Sequence, residues 1–196
     1  MDTLEKILGS AYKAKVMKLF LFNPTLVFDS KTVAQKIKAR EKEVRKELFL
    51  LQKINFLKTK ECRNASGRKV NGWTINTGFK YIDAVRDFLL RVSPFTSESL
   101  VRKLGESGRI KLVVIAGVFL NDFETRVDLL VVGDKIKKNI FEKTMKEIES
   151  EMGREIQYAL LESADFEYRL GVGDKLIRDI FDYPHEVISN KIGLVE

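Results

Sequence analysis

The apolar positions in the first half of the chain follow a helical period and then alternate as they do in a strand. A first helix is predicted to end at Asn23-Pro24, because proline disfavours helix in the residue before it. A second helix is predicted from Asp29-Ser30, which are good N-cap residues, to Ile37. A third helix is predicted over residues 41–54, with Val44, Leu48 and Leu51 on its apolar face.

A pair of strands is predicted after the third helix. Residues 56–60 alternate between apolar and polar side chains, and Asn64-Ala65-Ser66-Gly67 is a turn signal. Residues 70–75, which contain Trp73, form the predicted return strand, and residues 81–92 are again helical. We expect Trp73 to pack this strand pair against the core.

The second half of the chain alternates between short apolar runs and helical patterns. Strands are predicted at residues 111–116, 126–132, 156–161 and 186–188. Helices are predicted at residues 99–104, 136–152, 165–170 and 175–181. Ser93-Pro94-Phe95-Thr96-Ser97 is the predicted boundary between domains 1–92 and 98–196. The pattern indicates an α+β fold class, with a C-terminal α/β layer around a small mixed sheet.

Charge is divided unevenly between the two halves. Residues 1–92 carry 20 lysines and arginines against 9 acids, whereas residues 93–196 carry 15 against 19. This asymmetry predicts a polyanionic partner for the first half only. No apolar run approaches the roughly 18 residues that span a bilayer, and the N-terminus lacks the apolar core of a signal peptide. We therefore expect a cytoplasmic protein without a membrane partner. The single Cys62 excludes an internal disulfide.

Two helical segments of the first 90 residues are Ala14-Lys15-Val16-Met17-Lys18-Leu19-Phe20 and Val33-Ala34-Gln35-Lys36-Ile37. In these segments and in the order of their elements, the first 90 residues resemble the winged helix-turn-helix transcriptional regulators of the ArsR and MarR type. Glu43-Val44-Arg45-Lys46-Glu47-Leu48 stands where that family has its recognition helix, which runs into a wing strand. The resemblance implies binding of double-stranded DNA. We expect a homodimer, because one winged helix reads only a few base pairs. The first helix and residues 81–92 are the candidate dimer elements.

Basic residues of the predicted turn, recognition helix and wing are the candidate DNA contacts. Arginine can donate two hydrogen bonds to guanine, and lysine mainly neutralises phosphate. The candidates are Lys36, Lys38, Arg40, Lys42, Arg45, Lys46, Arg63, Arg68 and Lys69. The alternative is a solvated surface on which these bases pair with Glu41, Glu43 and Glu47.

The run Val114-Ile115-Ala116-Gly117-Val118-Phe119 and the run Arg126-Val127-Asp128-Leu129-Leu130-Val131-Val132-Gly133 resemble the minimal nucleotidyltransferase fold of the DNA polymerase β superfamily. In that family Gly-Ser ends one strand, and two carboxylates on the next strand hold Mg²⁺. Here Val118 replaces the serine and Arg126 the first carboxylate, so that Asp128 alone remains. The resemblance implies a domain that has kept the fold without the activity, with no cofactor or metal.

Three function classes follow. The first is a sequence-specific transcriptional regulator whose C-terminal domain serves dimerisation, sensing of a nucleotide or other ligand, or binding of a protein partner. The alternative is a Mg²⁺-dependent nucleotidyltransferase with a basic nucleic-acid-binding domain, in which Gly117 and Asp128 would be catalytic. It requires a further carboxylate; Asp122 and Glu124 lie in the loop before Asp128, and Glu162 ends a later strand. The third is a protein-interaction module, whose partner binding would be insensitive to salt.

Overall fold

The computed structural model describes residues 3–10, 12–64, 66–91, 95–120, 122 and 125–193. Within them the chain forms helices and small β-sheets, a mixed architecture consistent with the α+β class. Two compact units are present, Met1–Pro94 with Glu147–Glu155 and Phe95–Lys146 with Ile156–Glu196. The predicted boundary residues Ser93 and Pro94 lie outside the described residues, and the limits 1–92 and 98–196 stay a prediction.

The first unit places a strand hairpin between its last two helices. Its helices are α1 (Thr3–Leu8), α2 (Lys13–Phe22), α3 (Ser30–Lys36), α4 (Glu41–Lys53) and α5 (Ile82–Arg91). The hairpin strands β1 (Leu57–Arg63) and β2 (Lys69–Ile75) pair antiparallel. The sequence predicts one helix up to Asn23-Pro24, whereas the structure has two. The interruption follows Leu8, where Gly9 has a φ of 69°, a left-handed conformation that ends helices.

Local hydrogen bonds set the start of α3 and the turn into α4. The Asp29 carboxylate accepts a hydrogen bond from the Thr32 N–H at 2.8 Å, which confirms the predicted cap. Such a cap stabilises a helix by about 1 kcal/mol. After α3, Lys38 adopts a left-handed φ of 51°. The Ala39 N–H donates to the Ala34 carbonyl at 2.9 Å, which closes the turn that redirects the chain into α4.

The core of the first unit holds the hairpin against α4. Val44, Leu48 and Leu51 are fully buried, as their helical spacing predicts. The ring of Trp73 meets Phe49 edge to face at 5.8 Å between centroids, and its indole N–H donates to Gln52 at 3.1 Å. Trp73 therefore fixes β2 on α4, in agreement with its predicted packing role.

The second unit is built on a four-stranded sheet. Its elements are α6 (Ser97–Gly105), β3 (Arg109–Ala116), a 3₁₀ turn (Gly117–Leu120), β4 (Leu129–Asp134), α7 (Lys138–Met152), β5 (Tyr158–Leu161), α8 (Ser163–Gly171), α9 (Lys175–Phe181) and β6 (His185–Asn190). Residues of α7 from Glu147 onward belong to the first unit. The strand order is β5-β4-β3-β6, with β4 and β5 parallel and the other pairs antiparallel. The sheet is therefore mixed, as predicted.

Both faces of the two central strands are buried. On one face Leu112 and Leu130 pack in a cluster with Phe166 of α8 and Ile177 of α9. The alternate residues, including Val113 and Val131, point to the opposite face because strand side chains alternate, and they too are fully buried. This explains why β3 and β4 appear in the sequence as continuous apolar runs.

Asp134 ties the end of β4 to neighbouring elements of the second unit. Its Oδ2 lies 2.8 Å from Nζ of Lys111, and its Oδ1 accepts a hydrogen bond from the Ser163 N–H at 3.3 Å. The Lys111 ammonium and the hydrogen bonding of Ser163 lower the pKa of Asp134 from 3.8 to about 2.

Asp134 is therefore expected to stabilise the fold in a pH-dependent way. Because its pKa is lower in the folded chain, its contribution is present above pH 3.8 and is lost as the pH falls through about 2. Denaturant midpoints of the wild type and Asp134→Asn, measured at several values of pH, should differ most near neutrality and converge in acid. A constant difference across this range would contradict the assignment.

Candidate functional site

The exposed surface at the N-terminal turns of α4 carries basic side chains. Arg40, at the N-cap, and Lys42 are exposed, and among the described residues neither forms an ion pair. Arg45 and Lys46 follow at the spacing that continues this face, with 60% and 64% of their side chains exposed. The four predicted contact residues of α4 are therefore accessible at its N-terminal turns.

Two of these cations pair with glutamates of their own helix, as the alternative interpretation of the sequence anticipates. Arg45 lies 2.8 Å from Glu41, and Lys46 lies 3.1 Å from Glu43. The Ser30 hydroxyl and then the Arg45 guanidinium hold the pKa of Glu41 below its usual value, so this glutamate stays ionised at neutral pH. Exposed pairs of this kind are screened by solvent, contribute little to stability and open readily.

The predicted turn lysines are paired with acids from a distant part of the sequence. Lys36 lies 3.5 Å from Glu155, and Lys38 lies 4.0 Å from Glu147. Both lysines remain partly exposed, with 39% and 41% of their side chains accessible. No spacing in the sequence could have indicated these partners.

The tip of the hairpin is ordered by one asparagine. The Asn64 side-chain oxygen accepts hydrogen bonds from the Ser66 N–H at 3.1 Å and from the Arg68 N–H at 2.9 Å. Arg63, Arg68 and Lys69 are exposed around this turn, and Lys69 lies 3.8 Å from Glu61. The predicted wing residues thus share one end of the hairpin, although Ala65 lies outside the described residues.

Two further cations lie on β1 and were missed in the sequence. Lys58 and Lys60 are exposed and, being two residues apart in a strand, lie on the same face. Neither forms an ion pair among the described residues. Two lysines at alternate positions of the predicted strand could have indicated a basic face. The sequence does not reveal, however, that this face of β1 stays exposed to solvent.

Asp128, which the nucleotidyltransferase resemblance places at the metal position, is buried and binds backbone. Only 2% of the residue is exposed. Its Oδ1 accepts a hydrogen bond from the Val118 N–H, and its Oδ2 accepts one from the Gln157 N–H, both at 2.9 Å. Gly117 has a φ of 53°, and a Cβ there would overlap Oδ1 of Asp128. The Asp128 carboxylate therefore joins the end of β3 to the segment before β5 through hydrogen bonds, and Gly117 leaves the space that this carboxylate occupies.

The residues at this position do not fit a divalent cation. Mg²⁺ keeps several waters and needs accessible oxygen ligands, whereas Asp128 is only 2% exposed and each of its oxygens already accepts a backbone hydrogen bond. Arg126, at the position of the first carboxylate, lies 3.6 Å from Asp179 and brings a positive charge. Within the described ranges no three His, Cys, Asp or Glu side chains are grouped to hold a metal, and Glu124 lies outside those ranges.

A pocket of about 570 Å³ lies beside this position in the second unit. It is lined by Asp122, Thr125, Arg126, Lys175, Asp179 and Tyr183. Two carboxylates and two cations balance its charge, and the buried Oγ1 of Thr125 has no hydrogen-bond partner among the residues that the structure describes. The lining is more polar than that of most ligand pockets, which are predominantly apolar.

Comparison with known proteins gives little. No protein-family model matches the chain, and no curated protein matches it. One solved structure, a possible transcriptional regulator from Methanosarcina mazei Go1, is 18% identical and aligns over 45% of this chain and 73% of the regulator. Its TM-score is 0.35, so nothing about fold or function is inferred from the similarity.

Across the part of the chain that the structure describes, no helix combines the length and the apolar character needed to cross a bilayer.

Proposed function

We propose that this protein is a transcriptional regulator whose first unit is a winged helix-turn-helix that binds double-stranded DNA. The observation that carries the proposal is the group of exposed basic side chains at the N-terminal turns of α4, which is followed by a hairpin with exposed cations. The helices α2, α3 and α4 followed by β1 and β2 match the element order of this class.

The exposed cations divide into two roles. The N-terminal turns of α4 enter the major groove, where Arg40 and Arg45 address guanine edges and Lys42 neutralises phosphate. The hairpin reaches neighbouring phosphates or the minor groove through its strand lysines and its tip. The basic residues of the hairpin that make these contacts are Lys58, Lys60, Arg63, Arg68 and Lys69. Binding replaces the weak pairs of Arg45 and Lys46 with phosphate and base contacts.

The second unit acts in this proposal as a nucleotidyltransferase-like module without catalytic activity, used for dimerisation, sensing or partner binding. The engagement of both Asp128 oxygens and the charge of Arg126 support it. Its polar pocket is the place for a small ligand such as a nucleotide. The protein acts as a homodimer; α5 offers the exposed apolar Phe88, which is 44% accessible, for the pairing of two subunits.

A salt titration of the wild-type protein tests the DNA-binding proposal. With about six phosphates contacted, the affinity for a duplex should fall about 10³-fold between about 50 mM and about 200 mM salt, because bound counterions are released. Fluorescence anisotropy with a labelled duplex measures this slope. No binding at low salt, or an affinity that does not respond to salt, would refute the proposal.

A further inference from the structure

An acidic segment of the chain lies on the helix-turn-helix. This acidic segment, Glu147–Glu155, comprises the end of α7 and the residues after it, and it belongs to the first unit. Three of its glutamates pair with lysines of α2, of α3 and of the turn before α4. The pairs are Glu151 with Lys15 at 2.6 Å, Glu155 with Lys36 at 3.5 Å and Glu147 with Lys38 at 4.0 Å.

The acidic segment packs against the rest of the first unit in addition to forming ion pairs with its lysines. Ile148 is fully buried and Met152 is 5% exposed. The Asn23 side-chain amide donates a hydrogen bond to the Gly153 carbonyl at 3.2 Å. The Arg154 guanidinium lies 5.9 Å from the centre of the Phe22 ring. These contacts hold the glutamates against the lysines even where the individual ion pairs are long.

Two of the paired lysines belong to the proposed DNA-binding set. Lys36 ends α3 and Lys38 forms the turn before α4, so that both flank the recognition helix. A lysine that neutralises a glutamate in the free protein must leave it, or share its charge, to neutralise a phosphate. The negative charge of the acidic segment also repels an approaching duplex.

We propose that the acidic segment is an intramolecular competitor of DNA, which lowers the affinity of the helix-turn-helix by pairing Lys36 and Lys38. The inference rests on the proposed function. Opening these pairs raises DNA affinity, so any event that lifts the acidic segment from the helices activates binding. The segment thus serves as an autoinhibitory contact built into the first unit.

The test is the double variant Glu147→Gln and Glu155→Gln. It should bind a labelled duplex about 3- to 10-fold more tightly than the wild type at low salt, because two competing anions are gone. The gain should shrink at about 200 mM salt, where exposed pairs are screened. The matched control is Glu142→Gln with Glu167→Gln, two exposed glutamates without an ion pair among the described residues.

A double-mutant cycle makes the mechanism specific. In a background of Lys36→Gln and Lys38→Gln, the two glutamine substitutions in the acidic segment should give a clearly smaller gain, because their lysine partners are absent and only the repulsion of the duplex by the glutamates is relieved. Equal affinity of the wild type and the Glu147→Gln, Glu155→Gln variant for the duplex would overturn this inference and leave the proposed function intact. An equal gain from the control pair would also overturn it, since overall charge would then be the cause. Failure of every protein to bind duplex DNA would overturn the proposed function and this inference with it.

Discussion

Replacing Asp128 with alanine is expected to destabilise the second unit by about 2–4 kcal/mol, because two backbone donors would lose their acceptors. The Val118 N–H is buried, so the loss of its acceptor would cost the full free energy of an unsatisfied donor. The Gln157 N–H is only partly buried, so water can replace part of its lost hydrogen bond. Hydrogen exchange at these two amides, together with chemical denaturation, measures the effect. The single Trp73 lies in the first unit, so its fluorescence alone would not report the loss.

Matched substitutions separate this structural role from a general loss of charge. Asp179→Ala removes a carboxylate that pairs with Arg126 at the pocket wall, and it should change stability by less than about 1 kcal/mol. Asp128→Asn keeps one acceptor oxygen and should fall between the alanine variant and the wild type. If Asp128→Ala were as stable as Asp179→Ala, the carboxylate would not hold the backbone together.

The outcome bears directly on the two hypotheses for the second unit. A carboxylate that accepts one backbone hydrogen bond on each oxygen serves the fold, and the neighbouring Gly117 has no room for a side chain because Asp128 fills that space. A nucleotidyltransferase would need that carboxylate to be open to a cation. Incorporation of labelled nucleotide with Mg²⁺ or Mn²⁺ by the wild-type protein would therefore favour the enzymatic alternative against the proposal made here.

Features that depend on neighbouring residues could be predicted from the sequence. The apolar face of α4 follows from its helical spacing, the start of α3 follows from the capping chemistry of Asp29, and the hairpin turn follows from Asn64 to Gly67. In each case the physical cause lies within a few residues. The continuous apolar runs of β3 and β4 likewise indicated a sheet covered on at least one face, and the structure buries both faces.

Features that depend on tertiary contacts could not be predicted from the sequence. The strand predicted from Arg126 begins at Leu129, and the residues before it serve a loop in which Asp128 turns inward to bind backbone. The partners of Lys36 and Lys38 come from the far end of α7, which no local pattern reveals. The basic residues and the pairs within α4 could be found in the sequence, whereas the distant acids that pair with Lys36 and Lys38 could not.

Charge reversal of Arg45 and Lys46 to glutamate is expected to weaken duplex binding by at least about 100-fold at low salt. Two phosphate or base contacts are lost, and two anions are added at the face that would meet the polyanion. Both side chains are well exposed, so that folding should lose only the weak pairs with Glu41 and Glu43 and gain a comparably weak repulsion between the new glutamates and these two. Anisotropy with the same duplex measures the affinity, and thermal unfolding checks that the variant is folded.

The matched control is Lys137→Glu with Lys138→Glu, which makes the same change of charge at exposed positions of the second unit. If overall charge alone governed binding, the two variants would weaken it equally. A selective loss with Arg45 and Lys46 would locate the DNA-binding face on α4. Unchanged binding by that variant would instead exclude this face, and the exposed lysines of β1 would become the first alternative, since Lys58 and Lys60 form a basic strip that does not depend on α4.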